Sequence, residues 1–141
     1  IWDAIKNDYE LTLYSEEMTR FILLIEQAVD LIEFALTKNG YNVIPKPSSI
    51  KIKDLFQIYK EKFGLKYKLG VPRISEKIHE ILISEEESTR VTSDSDYYLM
   101  HYEDTNHENI LGGKELSSKD NTLSKKVLLE LLSSQDYYKP I

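Results

Sequence analysis

The sequence contains no cysteine, which excludes disulfide bonds and thiolate metal ligands. It has only five glycines, at positions 40, 64, 70, 112 and 113, and their spacing forms neither the glycine-rich turn of a dinucleotide site nor a phosphate-binding P-loop. No apolar run approaches the roughly 20 residues of a membrane span, and no secretory signal peptide is visible. We therefore predict a cytoplasmic protein that does not insert into a membrane.

Positive charge is also in deficit. The 18 lysine and arginine residues are outnumbered by 24 aspartate and glutamate residues, which gives a formal net charge of -6. Because surfaces that follow phosphate backbones need a cationic excess, this balance argues against nucleic acid as a partner. The composition that remains, 41% hydrophobic and 30% charged over 141 residues, is that of a globular protein with one core. We predict a single domain over residues 1–141.

Hydrophobic spacing predicts helices that alternate with short strands, an α/β or α+β arrangement. The first residues, "IWDAIKNDYE", begin without methionine and already have helical spacing, so we expect the chain to be a piece of a longer protein. One helix is predicted over residues 24–36 with its apolar face buried. Another is predicted over residues 52–63, which Ser48 or Ser49 should cap and Gly64 should end.

Shorter elements are predicted on both sides of these two helices. Strands are expected in "LTLY", "YNVIPKP", "KYKLGV" and "DYYLMHY". Ser75 is expected to cap a short helix that turns Ile78 and Ile81 inward, and the glutamates at 85–87 to begin a solvated helix. Ser124 should open a last helix that runs through Leu132.

Two of the three histidines lie in an acidic stretch. His101 and His107 lie in one stretch with Glu103, Asp104 and Glu108, a mixture of side chains that can ligate a metal ion if the loop folds back on itself. Their spacing fits no compact ligand motif, however. We predict a solvated acidic turn and no metal site.

Two arginines and the third histidine are the remaining candidates. Arg20 and Arg73 each precede a predicted helix, and a guanidinium beside a helix N-terminus is suited to hold phosphate oxygens. On spacing alone, an ordinary ion-pairing arginine is the more frequent case for both. His79 is expected to be a half-buried structural residue. No Ser/His/Asp catalytic arrangement follows from the spacing.

Three blocks of the sequence carry a resemblance to a known family: "MTRFILLIEQAVDLIEFAL", "VIPKPSSIKIKDLFQIY" and "RISEKIHEILISEEESTR". They resemble the C-terminal substrate-binding part of the extended short-chain dehydrogenases/reductases of polysaccharide biosynthesis and, within these, the inverting UDP-N-acetylglucosamine 4,6-dehydratases. The likeness covers residues 10–100 as a core. In the C-terminal extension, residues 101–141, "SSKDNTLSKKVLLELL" resembles the terminal turn and closing helix of the family.

The resemblance implies three UDP-binding residues. Arg20 and Arg73 would neutralise the diphosphate, and Glu76 would accept hydrogen bonds from the ribose hydroxyls. Where the family has Pro-Gly, this sequence has Ile74-Ser75, and loss of the glycine is expected to alter the backbone that presents Arg73 and Glu76.

The resemblance also implies what the chain lacks. In the family, the glycine-rich NADP site and the Tyr-x-x-x-Lys pair belong to the Rossmann half, which is absent here. We therefore expect no catalytic residue, no cofactor-binding residue and no metal ligand in this chain. NADP would be bound by the other half of the parent enzyme.

Three hypotheses remain open on the sequence. The chain is the substrate-binding portion of a UDP-N-acetylglucosamine 4,6-dehydratase, or of a UDP-sugar 4-epimerase of the same family, or a non-catalytic remnant that binds a nucleotide sugar or a partner protein. The expected partners are a UDP-sugar, the Rossmann half and further copies in a homo-oligomer. An exposed apolar face should mark where the Rossmann half docks, with Trp2, Phe21 and Ile22 as candidates.

Overall fold

The computed structural model describes residues 1–102, 110–135 and 138. Within this part of the chain the helices are α1 (Trp2–Lys6), α2 (Ile25–Ala35), α3 (Ile52–Phe63), α4 (Glu85–Ser88) and α5 (Lys125–Ser133). The strands are β1 (Leu11–Leu13), β2 (Thr19–Ile22), β3 (Tyr41–Pro45), β4 (Ser48–Lys51), β5 (Tyr67–Leu69), β6 (Ile81–Ile83), β7 (Val91–Asp94), β8 (Tyr97–His101) and β9 (Leu116–Ser117).

The strands form four small sheets. β1 pairs in parallel with β5, while β2 pairs antiparallel with β4 and β6 antiparallel with β9. β8 is the central strand of an antiparallel sheet in which β3 and β7 are its neighbours. Helices and short strands thus alternate along the chain, which confirms the predicted mixed α/β fold class.

The main hydrophobic core is built around α3 and α5. Its buried residues come from several distant parts of the chain, and they are Ala4, Ile50, Ile58, Tyr59, Leu65, Leu128, Leu132 and Tyr138. The Trp2 ring packs edge-on against Tyr59 and Phe63, with ring centroids 5.2 and 4.7 Å apart. A second, smaller cluster is formed by Ile44 of β3, Ile83 of β6 and Val91 of β7. The amphipathic pattern of residues 52–63 therefore predicted a buried helix correctly.

The apolar face of α2 is exposed, contrary to the prediction. The helix is present, but none of its residues is buried. Ile25, Val29, Ile32 and Leu36 are 66%, 48%, 62% and 80% exposed. They follow one another at intervals of four, three and four residues, so they form a single apolar stripe along the helix. Hydrophobic spacing shows that a helix has an apolar face, but it does not show that the described chain covers that face.

One contact ties the end of α2 to the three-stranded sheet. Phe34 stacks on Tyr97 with ring centroids 4.4 Å apart, and the Lys38 ammonium beyond the helix lies 2.6 Å from an Asp94 carboxylate oxygen. The lysine holds the pKa of Asp94 below its usual value through this hydrogen bond. The stripe itself lies outside this contact.

The helix predicted after Ser75 is wrong. Residues 74–80 form a turn and bends, and Ile81–Ile83 is the strand β6. β6 pairs with β9, whose residues lie more than 30 positions further along the chain. Local spacing cannot reveal such a partner, and the tertiary pairing overrides the helical pattern.

The ends of the helices agree in part with the predictions. Ser48 and Ser49 lie in β4 instead of capping α3, whose N-cap is Lys51 with no side-chain cap. Gly64 ends α3 in the left-handed conformation with φ of 74°, as predicted. The predicted cap Ser124 begins α5, and its Oγ accepts a hydrogen bond from the Val127 N–H.

The predicted strands in "LTLY", "YNVIPKP", "KYKLGV" and "DYYLMHY" correspond to β1, β3, β5 and β8. The strands β2, β4, β7 and β9 were not predicted. The glutamates at 85–87 begin α4, as predicted. Among the helices described, none has the length and hydropathy needed to span a membrane.

Candidate functional site

Arg20 lies in the middle of β2, opposite Ile50 of β4, and its guanidinium reaches back over the irregular segment 76–80. Nη1 donates hydrogen bonds to the carbonyl oxygens of Thr19 and Ile78 at 2.7 and 3.2 Å. Nη2 donates to the carbonyl oxygen of Lys77 at 2.9 Å. Three backbone carbonyls therefore fix the orientation of the guanidinium.

Two carboxylates face the same guanidinium. Glu76 Oε1 lies 3.4 Å from Arg20 Nη2, and Glu80 Oε1 lies 3.3 Å from Nε. Charge-assisted N–H···O contacts are typically about 2.7–2.9 Å, so both ion pairs are loose compared with the carbonyl contacts. All three side chains are partly open to solvent. The structure thus brings the predicted pair Arg20 and Glu76 together and adds Glu80, which the sequence reasoning had not chosen.

Arg73 begins the turn that leads to Glu76. The Arg73 carbonyl accepts a hydrogen bond from the Glu76 N–H at 2.9 Å. Its own side chain points to Tyr14: Nη2 donates to the Tyr14 hydroxyl at 2.8 Å, and the guanidinium carbon lies 5.1 Å from the ring centroid. The third predicted residue is therefore linked to the other two through the backbone, while its guanidinium rests on an aromatic ring.

The Ile74-Ser75 departure does not strain this turn. Ile74 is fully exposed, and neither Ile74 nor Ser75 has a positive φ. The turn between Arg73 and Glu76 is therefore one that ordinary residues adopt without the glycine expected by resemblance.

Beneath Arg20 lies a chain of two hydroxyls and an imidazole. Thr19 Oγ1 is 2.8 Å from His79 Nδ1 and 2.7 Å from Ser118 Oγ. Ser118 also bonds to the backbone of Glu80 at both ends: its Oγ accepts from the Glu80 N–H, and its own N–H donates to the Glu80 carbonyl, each at 2.8 Å. Thr19 and Ser118 are buried, and His79 is half-buried as predicted.

Sequence reasoning missed this group because its members are 60 and 99 positions apart from Thr19. The available sequence signal was that each member lies in a segment that resembles the family: Thr19 in "MTRF", His79 in "SEKIHE" and Ser118 in "SSKDN".

The described residues also form cavities away from Arg20. One of about 330 Å³ lies between α2, the β3–β4 connection and the β7–β8 turn, beside Asp30, Lys46 and Tyr97. Burial, with the charges of Asp30 and Asp96 in support, raises the pKa of Tyr97. A second, apolar cavity of about 200 Å³ lies between Ile22 and Val127. Neither cavity is lined by Arg20, Arg73 or Glu76.

Two strand-to-helix junctions in the described part of the chain lack the features of a dinucleotide-binding loop. At the β2–α2 junction, Leu23 and Leu24 stand where a dinucleotide loop needs glycine, and the Leu24 N–H is already bonded to Gln27 Oε1 at 2.9 Å. β4 leads directly into α3 without a loop. We therefore derive no hydride-transfer step from these residues.

Metal ligation finds no support in the part of the chain that the structure describes, where no three histidine, aspartate or glutamate side chains form a group able to hold an ion. His101 lies in β8, and its ring packs edge-on against Tyr41 at 4.6 Å. Its predicted companions lie outside the described residues, and they are Glu103, Asp104, His107 and Glu108.

The expectation that Trp2, Phe21 and Ile22 form an exposed apolar face is wrong. All three side chains are half-buried, and Trp2 and Ile22 pack against the main core. An exposed apolar face is found instead on α2, in the stripe of Ile25, Val29, Ile32 and Leu36. Hydrophobic spacing alone could not distinguish these faces, because each has helical or strand spacing suited to burial.

Comparison with known proteins gives consistent matches. A family model described as polysaccharide biosynthesis protein matches residues 2–102. The chain is 32% identical to the UDP-N-acetylglucosamine 4,6-dehydratase (inverting) of Campylobacter jejuni, over 88% of this chain and 42% of that protein. It is 30% identical to the UDP-glucose 4-epimerase of Rickettsia prowazekii, over 94% of this chain and 43% of that protein.

Two further matches extend the comparison. An uncharacterised membrane protein of Methanocaldococcus jannaschii is 31% identical over 92% of this chain and 43% of its own length. The crystal structure of Pen from Bacillus thuringiensis superposes with a TM-score of 0.80 at 25% identity, covering 95% of this chain and 44% of that chain. The chain thus spans less than half the length of each of these four proteins.

Proposed function

The chain belongs to the polysaccharide biosynthesis protein family, a family of extended short-chain dehydrogenases/reductases, and from this premise we propose that it is the UDP-sugar-binding portion of a nucleotide-sugar-modifying enzyme. The enzyme proposed is an NADP-dependent, 5-epimerising UDP-N-acetylglucosamine 4,6-dehydratase of surface polysaccharide or glycan biosynthesis. NADP and the catalytic groups would be held by a Rossmann half outside these 141 residues.

The observation that carries the proposal is the contact between Arg20 and Glu76. Short bonds to backbone carbonyls orient the guanidinium, whereas the carboxylate contacts at 3.3 and 3.4 Å are loose. A diphosphate oxygen makes the same kind of contact with a guanidinium as a carboxylate oxygen does, and carries more charge. UDP would therefore compete with Glu80 and Glu76 for Arg20, and the released Glu76 would accept the ribose hydroxyls.

Arg73 would complete the clamp by leaving Tyr14. The guanidinium is exposed, and its contacts with Tyr14 are one hydrogen bond and one cation–π contact. Exposed contacts of this kind contribute about 0.5–1 kcal/mol each, which a charged phosphate can outweigh. Tyr14 would thus hold Arg73 beside the site until substrate binds.

The alternative parent enzyme is a UDP-sugar 4-epimerase. A relative named UDP-glucose 4-epimerase matches at 30% identity, close to the 32% of the dehydratase relative. Both substrates carry the same UDP group, so Arg20, Arg73 and Glu76 do not discriminate between them. A non-catalytic binding role for the chain is the third candidate.

The α2 stripe supports the proposal that a further part of the enzyme packs on this chain. Four large apolar side chains stand in a row on a helix with no buried residue. Soluble proteins seldom leave such a contiguous face open. Since the chain spans less than half the length of its relatives, we propose that the Rossmann half of the same enzyme covers the stripe. We also propose a cytoplasmic homo-oligomer as the working form.

The activity is tested with the product of the complete reading frame that encodes the chain. Incubation with UDP-N-acetylglucosamine should yield a 4-keto-6-deoxy sugar nucleotide, detected by mass spectrometry as the loss of one water. Interconversion of UDP-glucose and UDP-galactose without loss of water would favour the epimerase. If the protein binds UDP but catalyses neither reaction, the non-catalytic role is favoured.

The clamp is tested by calorimetric titration of the same protein with UDP. Arg20→Ala should weaken binding by about 1.5–3 kcal/mol, the range for a hydrogen bond to a charged group. The control is Arg90→Ala, since Arg90 also bonds to backbone carbonyls, those of His101 and Tyr102, at a place outside the proposed site. Unchanged affinity in Arg20→Ala would refute the clamp.

The docking face is tested by comparing two apolar-to-charged substitutions in that protein. Ile32→Glu should lower the thermal midpoint strongly, because a charge would be buried beneath the Rossmann half. Val71→Glu, at an exposed loop position away from α2, should have little effect. Equal, small effects of the two variants would show that nothing covers the stripe.

A further inference from the structure

We propose that Ser118 and Thr19 are positioning residues for the Arg20 site, and that they act through the hydroxyl–imidazole chain Ser118–Thr19–His79. This inference rests on the proposed UDP clamp. It assigns a role to two buried hydroxyls that bind no substrate themselves.

The segment that carries Glu76 and Glu80 forms no regular backbone hydrogen-bond ladder of its own. Residues 76–80 are irregular, so their backbone must be held from outside. The Thr19 N–H holds the Ile78 carbonyl at 2.9 Å, and the Thr19 hydroxyl holds the His79 ring at 2.8 Å. Glu80 is held by both the N–H and Oγ of Ser118 at 2.8 Å. The position of both carboxylates relative to Arg20 therefore depends on Thr19 and Ser118, which lie 99 positions apart.

The hydrogens of this chain can be arranged completely in two ways. In one, Ser118 donates to Thr19 Oγ1 and Thr19 donates to His79 Nδ1. In the other, His79 Nδ1–H donates to Thr19, Thr19 donates to Ser118, and Ser118 donates to the Thr19 carbonyl at 3.2 Å. Both arrangements need both hydroxyls. Removing the Thr19 hydroxyl leaves the half-buried His79 Nδ1 without this partner, and removing the Ser118 hydroxyl leaves the Glu80 N–H without its acceptor.

Position 19 offers a matched pair of variants. Thr19→Val keeps the shape and burial of the side chain but removes the hydroxyl, while Thr19→Ser keeps the hydroxyl. Ser118→Ala removes the second hydroxyl. Its neighbour Ser117 is equally buried but makes only a 3.4 Å contact with the Glu80 carbonyl, so Ser117→Ala is the control.

The experiment combines two readouts on the product of the complete reading frame. Hydrogen–deuterium exchange of peptides over residues 76–83 reports on the segment, and titration with UDP reports on the clamp. Thr19→Val and Ser118→Ala should speed exchange in these peptides and weaken UDP binding by about tenfold, the effect of one hydrogen bond. Thr19→Ser and Ser117→Ala should behave as the wild type.

Each outcome decides either the positioning role of the two hydroxyls or the UDP clamp. Unchanged exchange in Thr19→Val and Ser118→Ala overturns the positioning role, whether or not UDP binds. Faster exchange with unchanged UDP affinity also overturns it, because the chain would then be merely structural. Faster exchange in a protein whose wild type binds no UDP refutes the clamp but supports the role of the two hydroxyls in holding residues 76–80.

Discussion

Helices α2 and α3 have nearly the same length and the same kind of sequence pattern, yet the apolar face of α3 is buried and that of α2 is exposed. Ile58 of α3 is 1% exposed and belongs to the main core, whereas Ile32 of α2 is 62% exposed. α3 ends in a left-handed glycine, while α2 ends at Leu36 in the ordinary helical conformation. The difference teaches that amphipathic spacing predicts a helix, while the rest of the fold decides whether its apolar face is used within the same chain.

The largest effect should come from the core side of this comparison. Ile58→Ala should lower the free energy of unfolding by about 2–5 kcal/mol, because it leaves a cavity in the centre of the core. Urea denaturation followed by circular dichroism measures the change. A loss below 1 kcal/mol would mean that α3 is no better packed than α2, which would contradict the difference between the two helices.

A smaller loss is expected at the end of α3. Gly64→Ala should cost about 1–2 kcal/mol, because an L-residue with a side chain is forced into the left-handed conformation at φ of 74°. An added Cβ would meet no atom within 4 Å, so no steric clash contributes. Denaturation midpoints of the variant and the wild type test this. A neutral effect would show that the α3 ending does not depend on its glycine.

Helix α4 sharpens the comparison, because this short helix depends on its cap. The Ser84 N–H donates to the Glu87 carboxylate at 2.9 Å, and the Glu87 N–H donates to Ser84 Oγ at 3.2 Å. The bond from the Ser84 backbone, followed by that from its hydroxyl, lowers the pKa of Glu87 below 4.5. A carboxylate with a lowered folded-state pKa contributes stability that is present above pH 4.5 and lost as the pH falls through the folded-state value.

Replacing Glu87 should therefore change how the stability of the protein depends on pH. Thermal midpoints of Glu87→Gln and the wild type, measured from pH 6 to pH 3, should converge as the pH falls below 4.5. Glu86→Gln, which removes the same charge outside the cap, is the control. Parallel curves for Glu87→Gln and the wild type would contradict a role for the ionised cap.

The smallest effect is expected on the α2 side. Ile32→Ala in the 141-residue chain should change the free energy of unfolding by no more than about 0.5 kcal/mol, because its side chain is already in water. The measurement is the same denaturation as for Ile58→Ala, so the two isoleucines form a matched pair. A large loss at Ile32 would mean that the stripe is covered even in this chain.

Several elements could be predicted from the sequence because their signals are local. The periodicity of residues 52–63 and the glycine after it fixed α3, and Ser124 fixed the start of α5. The helix predicted after Ser75 failed because β6 is stabilised by β9, a partner remote in sequence. Ser48 was predicted as a cap because serine favours helix starts, but it pairs with Ile22 in the sheet of β2 and β4.

The candidate site was predictable only in part. Arg20 and Glu76 were chosen by resemblance, and they lie 3.4 Å apart, although their binding of UDP stays a prediction. Glu80, Thr19 and Ser118 were not chosen. Hydrogen bonds between residues far apart in sequence produce no periodic pattern in the sequence. The orientation of Arg73 onto Tyr14 was equally hidden, since it depends on the path of the 70–75 connection beside β1.

The strand β9 and helix α5 lie beyond residue 102, where the family match ends, and this has a consequence for how the chain can be cut. A protein trimmed to the matched stretch would expose the β6 edge, strip Leu128 and Leu132 from α3, and leave the Glu80 amide facing water. The end of the family-model match is thus not a point at which the chain can be cut without loss of structure. Any shortened form meant to retain the contacts around Arg20 must keep the chain through α5.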